Sequence, residues 1–129
     1  PGVPEYFDND GRGLYSYLTG AASWYMLTMI TSVYGVHGEL GDLVIEPALM
    51  PQQYNEKGDA KVSLEFAGHR FNISVHNPDK LEPGDAQVKR ALCDDVKVEN
   101  VTGNSVRIPK HAIEMLSTDK CHTVEIYIE

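Results

Sequence analysis

From Gly20 to Tyr34 the chain reads GAASWYMLTMITSVY, and no charged residue interrupts it. At helical spacing Trp24, Leu27, Ile30 and Tyr34 fall on one stripe and Tyr25, Met26, Met29 and Val33 on the next. Only Ser23, Thr28, Thr31 and Ser32 remain as weakly polar positions. A helix apolar nearly all round belongs inside a larger body, and at about fifteen residues it is too short for a membrane, which needs about twenty. That limits what the rest of the chain can be. One β-domain can cover one side of the helix, and the remaining face calls for neighbouring helices that these residues do not contain.

Both ends of the helix are marked. Gly35 is the expected C-terminal stop, and Leu18-Thr19-Gly20 places Thr19 at the expected N-cap ahead of Ala21 and Ala22. Gly20, Ala21 and Ala22 carry no long side chain, and no Glu or Gln stands three residues after Thr19 to complete a capping box. The first unpaired N–H groups are thus open. With the roughly half positive charge of a helix N-terminus they suit phosphate or another anion. The plainer reading makes Thr19 only a cap and Gly20 only clearance for a neighbouring helix.

Around this helix Pro4-Glu5-Tyr6-Phe7, Gly11-Arg12-Gly13-Leu14-Tyr15, Tyr17-Leu18-Thr19-Gly20, Ser23-Trp24-Tyr25, Gly38-Glu39-Leu40-Gly41-Asp42-Leu43 and Glu46-Pro47 follow in order. They resemble the C-terminal part of family 94 of the glycoside hydrolases, the cellobiose and cellodextrin phosphorylase relatives. The resemblance covers about the first half of the chain and fades after Asn77. It implies an (α/α)6 catalytic barrel, with this helix among its last, followed by a C-terminal β-sandwich of jelly-roll type. It also implies a phosphate site in which Thr19 contributes its hydroxyl and Gly20 its backbone. The family commonly has His before its YLTG and Ser after it, where this chain has Ser16 and Ala21. Sugar contacts near those two positions are not carried over.

The formal charge of −8, from 11 basic and 19 acidic residues, argues against a nucleic-acid surface, which needs a concentrated basic stripe. Lys89-Arg90 is the only adjacent basic pair. Pro1 opens the chain with no signal-peptide pattern before it, so the residues read as a segment of a longer protein. Cys93 and Cys121, without dense spacing, are expected as reduced, buried thiols of a cytoplasmic protein.

Residues 1–18 combine Gly, Pro, Asn and Asp with interleaved aromatics and read as a packed loop. Asp8-Asn9-Asp10-Gly11 invites comparison with a calcium loop. With Gly11 at the sixth position, however, the first and twelfth are Tyr6 and Tyr17, so an acidic turn is expected. Beyond Gly35, the glycines of His37 to Asp42 turn the chain away and divide it into 1–37, the end of a helical domain, and 38–129, a β-domain. Alternating apolar positions then predict a strand near 43–46 and a hairpin carrying Val62, Leu64 and Phe66 opposite Phe71, Ile73 and Val75, turning over 67–70. Further strands are expected at 87–92, 96–99, 105–108 and 123–128, with one or two helical turns at 109–116. The fold class is therefore mainly β: an antiparallel sandwich preceded by a loop and one buried helix.

His37, His69, His76, His111 and His122 lack the spacing that puts two imidazoles on one metal, so no metal is expected. No nucleophile elbow, phosphate loop or dinucleotide fingerprint occurs. Glu39 and Asp42 lie in the glycine turn, where caps and hinge contacts are the commoner role.

The resemblance implies the C-terminal part of an inverting β-glycoside phosphorylase that acts on a β-glucoside such as cellobiose or a cellodextrin. Inorganic phosphate is then the co-substrate, no cofactor is expected, and no catalytic residue lies in this segment. The expected partners are the remainder of the barrel and a β-linked oligosaccharide, without nucleic acid or membrane; a homodimer is left open. Two alternatives stay open: a non-catalytic β-sandwich for binding or assembly, and the terminal part of a β-glucan synthase carrying a phosphorylase-like module.

Overall fold

The computed structural model describes residues 4–16 and 20–129. Strands β1 (Pro4–Phe7) and β2 (Gly13–Ser16) pair antiparallel where a loop was expected. Asp8 shows why. Its Oδ1 accepts the backbone N–H of Asp10 at 3.0 Å and of Arg12 at 2.7 Å, so the acidic stretch is a turn that closes a hairpin.

Helix α1 (Ala21–Thr28) continues as a π-helical turn, Met29–Val33. The single helix predicted to Tyr34 thus changes type at Met29. Thr31 Oγ1 donates to the Leu27 carbonyl at 2.9 Å, a side-chain bond that competes with the regular ladder, and Tyr34 N–H reaches back five residues to the Met29 carbonyl at 2.9 Å.

Strands β3 (Val36–Glu39) and β4 (Asp42–Ile45) form a hairpin through Leu40 and Gly41, both at positive φ. The stretch predicted as a glycine turn is therefore half strand. Then come β5 (Asp59–Phe66), β6 (His69–His76), β7 (Val88–Cys93), β8 (Val96–Lys97), β9 (Val101–Thr102), β10 (Ser105–Ile108), the short helix α2 (Lys110–Glu114) and β11 (Cys121–Ile128). The β5–β6 turn is only Ala67-Gly68, both at positive φ, so His69 and Arg70 belong to the strand.

Besides the β1–β2 pair, the described residues form two sheets, in the orders β3-β4-β10-β9 and β5-β6-β11-β7-β8. All pairings are antiparallel except β6 with β11, which is parallel. The second sheet is thus mixed, a correction to the antiparallel expectation. After β6 the chain passes through four strands and α2 before returning beside it in the same direction, a crossover that no local pattern encodes.

The sheets share one core. Across the second sheet the inward rows are Val62, Ile73, Val124 and Cys93, then Ala60, Val75, Ile126 and Ala91. Facing them are Val36, Leu43, Ile45, Val106 and Ile108 of the first sheet. Full burial of such side chains stabilises by about 1.5–3 kcal/mol each. Both cysteines are free, and Cys121 is exposed, which corrects the expectation that both thiols are buried.

Candidate functional site

Of the two expected phosphate residues, Thr19 lies outside the described residues and Gly20 inside them. Gly20 itself is the N-cap, one position later than predicted, with right-handed φ and ψ of −59° and −6° and no side-chain cap bond. Its carbonyl accepts the Trp24 N–H at 2.8 Å, the first bond of the helix. No acidic residue stands in the first turn. The end is not wholly bare, because a Cβ on Gly20 would lie 3.2 Å from Cδ1 and 3.3 Å from Nε1 of the Trp24 indole. The indole folds back over the glycine, so any side chain larger than hydrogen would press on it.

Helix α1 is exposed along the described chain rather than buried. Trp24, Tyr25 and Met26 are 69%, 62% and 61% exposed, and Leu27 is about half exposed. The C-terminal end is anchored. Ile30, Val33 and Tyr34 pack on the sandwich core, and the Tyr34 hydroxyl donates to the Lys61 carbonyl on edge strand β5 at 2.8 Å. Gly35, at φ +68°, lets the backbone approach Glu46 so closely that its carbonyl accepts the Glu46 N–H at 3.0 Å. Ala48 N–H donates to the Val33 carbonyl at 2.9 Å. The helix end and the sandwich are thus joined by backbone bonds.

Glu39 and Asp42 fill the contact role expected of them. Arg107 on β10 donates to the Glu39 carboxylate and, through Nη1, to Asp42 Oδ2 at 3.0 Å, while Asp42 Oδ1 accepts the Lys110 N–H at 2.8 Å. The Lys110 bond first, then Arg107, holds the Asp42 carboxyl below the usual carboxylate range. This cluster ties the β3–β4 hairpin to α2.

Sequence reasoning missed two further features. An apolar cleft of about 570 Å³ lies between α2 and the segment from β7 to β9, with Val96, Val98, Ile108, Ala112, Met115 and Leu116 among its walls. Nothing local marked it, since its walls come from stretches that are only partly apolar. The second feature is a buried imidazole pair. His69 and His122 occupy inward strand positions, with ring centroids 5.9 Å apart, and both are buried. Alternation would have flagged them as polar residues in core register. Among the described residues no group of three or more His, Cys, Asp or Glu is placed to hold a metal ion. No described helix is long and apolar enough to cross a membrane.

Comparison with known proteins found no family model that matches the chain and no matching curated relative. The family resemblance therefore rests on the motif residues themselves.

Proposed function

We propose that the chain is the C-terminal part of an inverting β-glycoside phosphorylase, with residues 1–37 from the end of an (α/α)6 barrel and 38–129 a terminal jelly-roll sandwich. The observation that carries the reading is the junction of Tyr17-Leu18-Thr19-Gly20 with an uncharged helix that no side chain among the described residues caps and whose apolar residues stand exposed. A motif that binds phosphate in the resembling family meets a helix end suited to anions, on a helix that needs a surrounding body.

On this reading phosphate attacks the anomeric carbon while an Asp upstream protonates the departing sugar oxygen, giving an α-sugar 1-phosphate. One carboxylic acid suffices, because phosphate replaces the water that an inverting hydrolase must activate with a second. Thr19 and Gly20 contribute one wall of the phosphate site, the barrel supplies the acid and the sugar contacts, and the protein is cytoplasmic. The intact enzyme would use inorganic phosphate and a β-linked oligosaccharide with no cofactor.

The test is phosphate-dependent release of sugar 1-phosphate from cellobiose and related β-glucosides by the protein encoded by the full reading frame. Thr19→Ala there should raise the phosphate requirement sharply while stability changes little, since Gly20 and not Thr19 stands at the N-cap. An unchanged dependence of rate on phosphate would reject the assignment. The exposed α1 favours one second reading, a non-catalytic assembly module, which requires stable self-association of the chain in sedimentation and no role for phosphate.

A further inference from the structure

His122 is wholly buried on β11, and each of its ring nitrogens faces an acceptor. Nδ1 lies 2.7 Å from Asp94 Oδ2 and Nε2 lies 2.7 Å from the Ser117 carbonyl oxygen. A neutral imidazole has one N–H. It can satisfy one of these acceptors and must turn a lone pair on the other, with the ring itself wholly out of solvent. We infer that His122 carries protons on both nitrogens in the folded chain and so acts as a proton-held latch, pinning the Ser117–Lys120 segment to the β7–β8 turn.

The surroundings fit a cation. Asp94 also receives Lys120 Nζ at 2.7 Å and, through Oδ1, the Thr123 N–H at 2.9 Å. Burial alone would raise the Asp94 carboxyl, but the bonds from Lys120, His122 and Thr123 outweigh it and keep the group ionised, well below the usual carboxylate range. From β6 the neighbours are the His69 ring and the face of Phe71, whose centroid is 5.7 Å away. His69 Nδ1 has no partner among the described residues. From β7, Cys93 adjoins Asp94, and burial pushes its thiol up, toward the neutral form. Asp94 is therefore the anion in hydrogen-bond contact with the ring, and Lys120 reaches it through the same carboxylate.

Loss of one proton has a directed consequence. The remaining proton stays on Nδ1, facing the carboxylate, and the Nε2 proton leaves to solvent, so the contact with Ser117 breaks. Ser117 directly follows Leu116, a wall of the apolar cleft that Cys93 and Asp94 also line. Raising the pH thus loosens that wall, and lowering it closes the latch again.

Long-range imidazole ¹H–¹⁵N correlation on the ¹⁵N-labelled chain tests this directly. At neutral pH His122 should show two protonated nitrogens, and on alkalinisation Nε2 should lose its proton. As that happens, amide protection in 116–121 should fall by about tenfold, the worth of one hydrogen bond. Asp94→Asn supplies the second arm. Asp94 sits at φ +46°, a conformation Asn tolerates, and an Asn with its oxygen on Thr123 presents its NH₂ to a neutral Nδ1. The variant should hold a single Nε2–H tautomer, and its protection in this segment should not vary with pH. One unprotonated nitrogen in the wild-type chain at neutral pH would overturn the inference, as would two protons retained in the variant. The wild-type spectrum is decisive by itself.

Discussion

Gly35 joins the helix to the sandwich, and its replacement by Ala separates two costs that usually travel together. At φ +68° any L side chain is strained, by roughly 1–2 kcal/mol. The added Cβ would also stand 1.9 Å from the Glu46 carbonyl oxygen, where ordinary contact begins at 3.4 Å. Backbone cannot move aside as a side chain can, so the two segments must part. The Glu46 N–H bond to Gly35 and the Ala48 N–H bond to Val33 then weaken together, at about 1 kcal/mol each. A total loss of about 3–4 kcal/mol is expected. Gly68→Ala is the control: φ is +78°, yet nothing lies within 4 Å of the new Cβ, so only the strain of roughly 1–2 kcal/mol should appear. Urea unfolding of both variants measures the difference. If Gly35→Ala costs no more than Gly68→Ala, the close approach does not constrain the junction, and the account of how the helix is held fails.

Trp24 is the only tryptophan and is mostly exposed, so the emission of this chain should be red-shifted and readily quenched by acrylamide. In a protein that adds the barrel helices it should shift to the blue, and an unshifted spectrum there would count against the phosphorylase reading. Phe71→Ala removes the largest fully buried side chain among the described residues and should cost about 3–5 kcal/mol in urea unfolding. The lowered Asp94 carboxyl contributes stability that is fully present above about pH 4, where the unfolded aspartate is ionised, and that is lost as pH falls through the lower folded-state value. Asp94→Asn should therefore flatten the acid limb of stability against pH, followed by circular dichroism.

What could be read from the sequence was local. The β5–β6 hairpin carries strict alternation, although its turn is 67–68 and not the 67–70 expected, and β10 occupies the span 105–108 that its pattern predicts. Strand β3 was hidden because Gly38 reads as turn material. In the structure this glycine makes room for an aromatic, since a Cβ there would lie 2.9 Å from the Phe66 ring. The hairpin of β1 and β2 was hidden for the same reason, its turn residues outnumbering its strand signals. The parallel seating of β11 beside β6 lay beyond local reading altogether, because partner choice across a long connection is decided by packing.

Of the candidate site the sequence marked one helix end, and of its two residues only Gly20 is among those described. An uncharged stretch announces burial, but it does not say against what. Trp24, Tyr25, Met26 and Leu27 are consecutive, so they point outward about 100° apart and together face nearly every direction around the axis. No single flat surface, whether the sandwich or a second copy, covers all of them. A body that wraps the helix does, and a ring of helices is such a body. On the phosphorylase reading Gly20 stands at the mouth of that ring, with one wall of the phosphate site on this chain and the others on helices beyond it. Specificity would reside in the wrapping body, and the sandwich would hold the last helix in place through Tyr34 and Gly35.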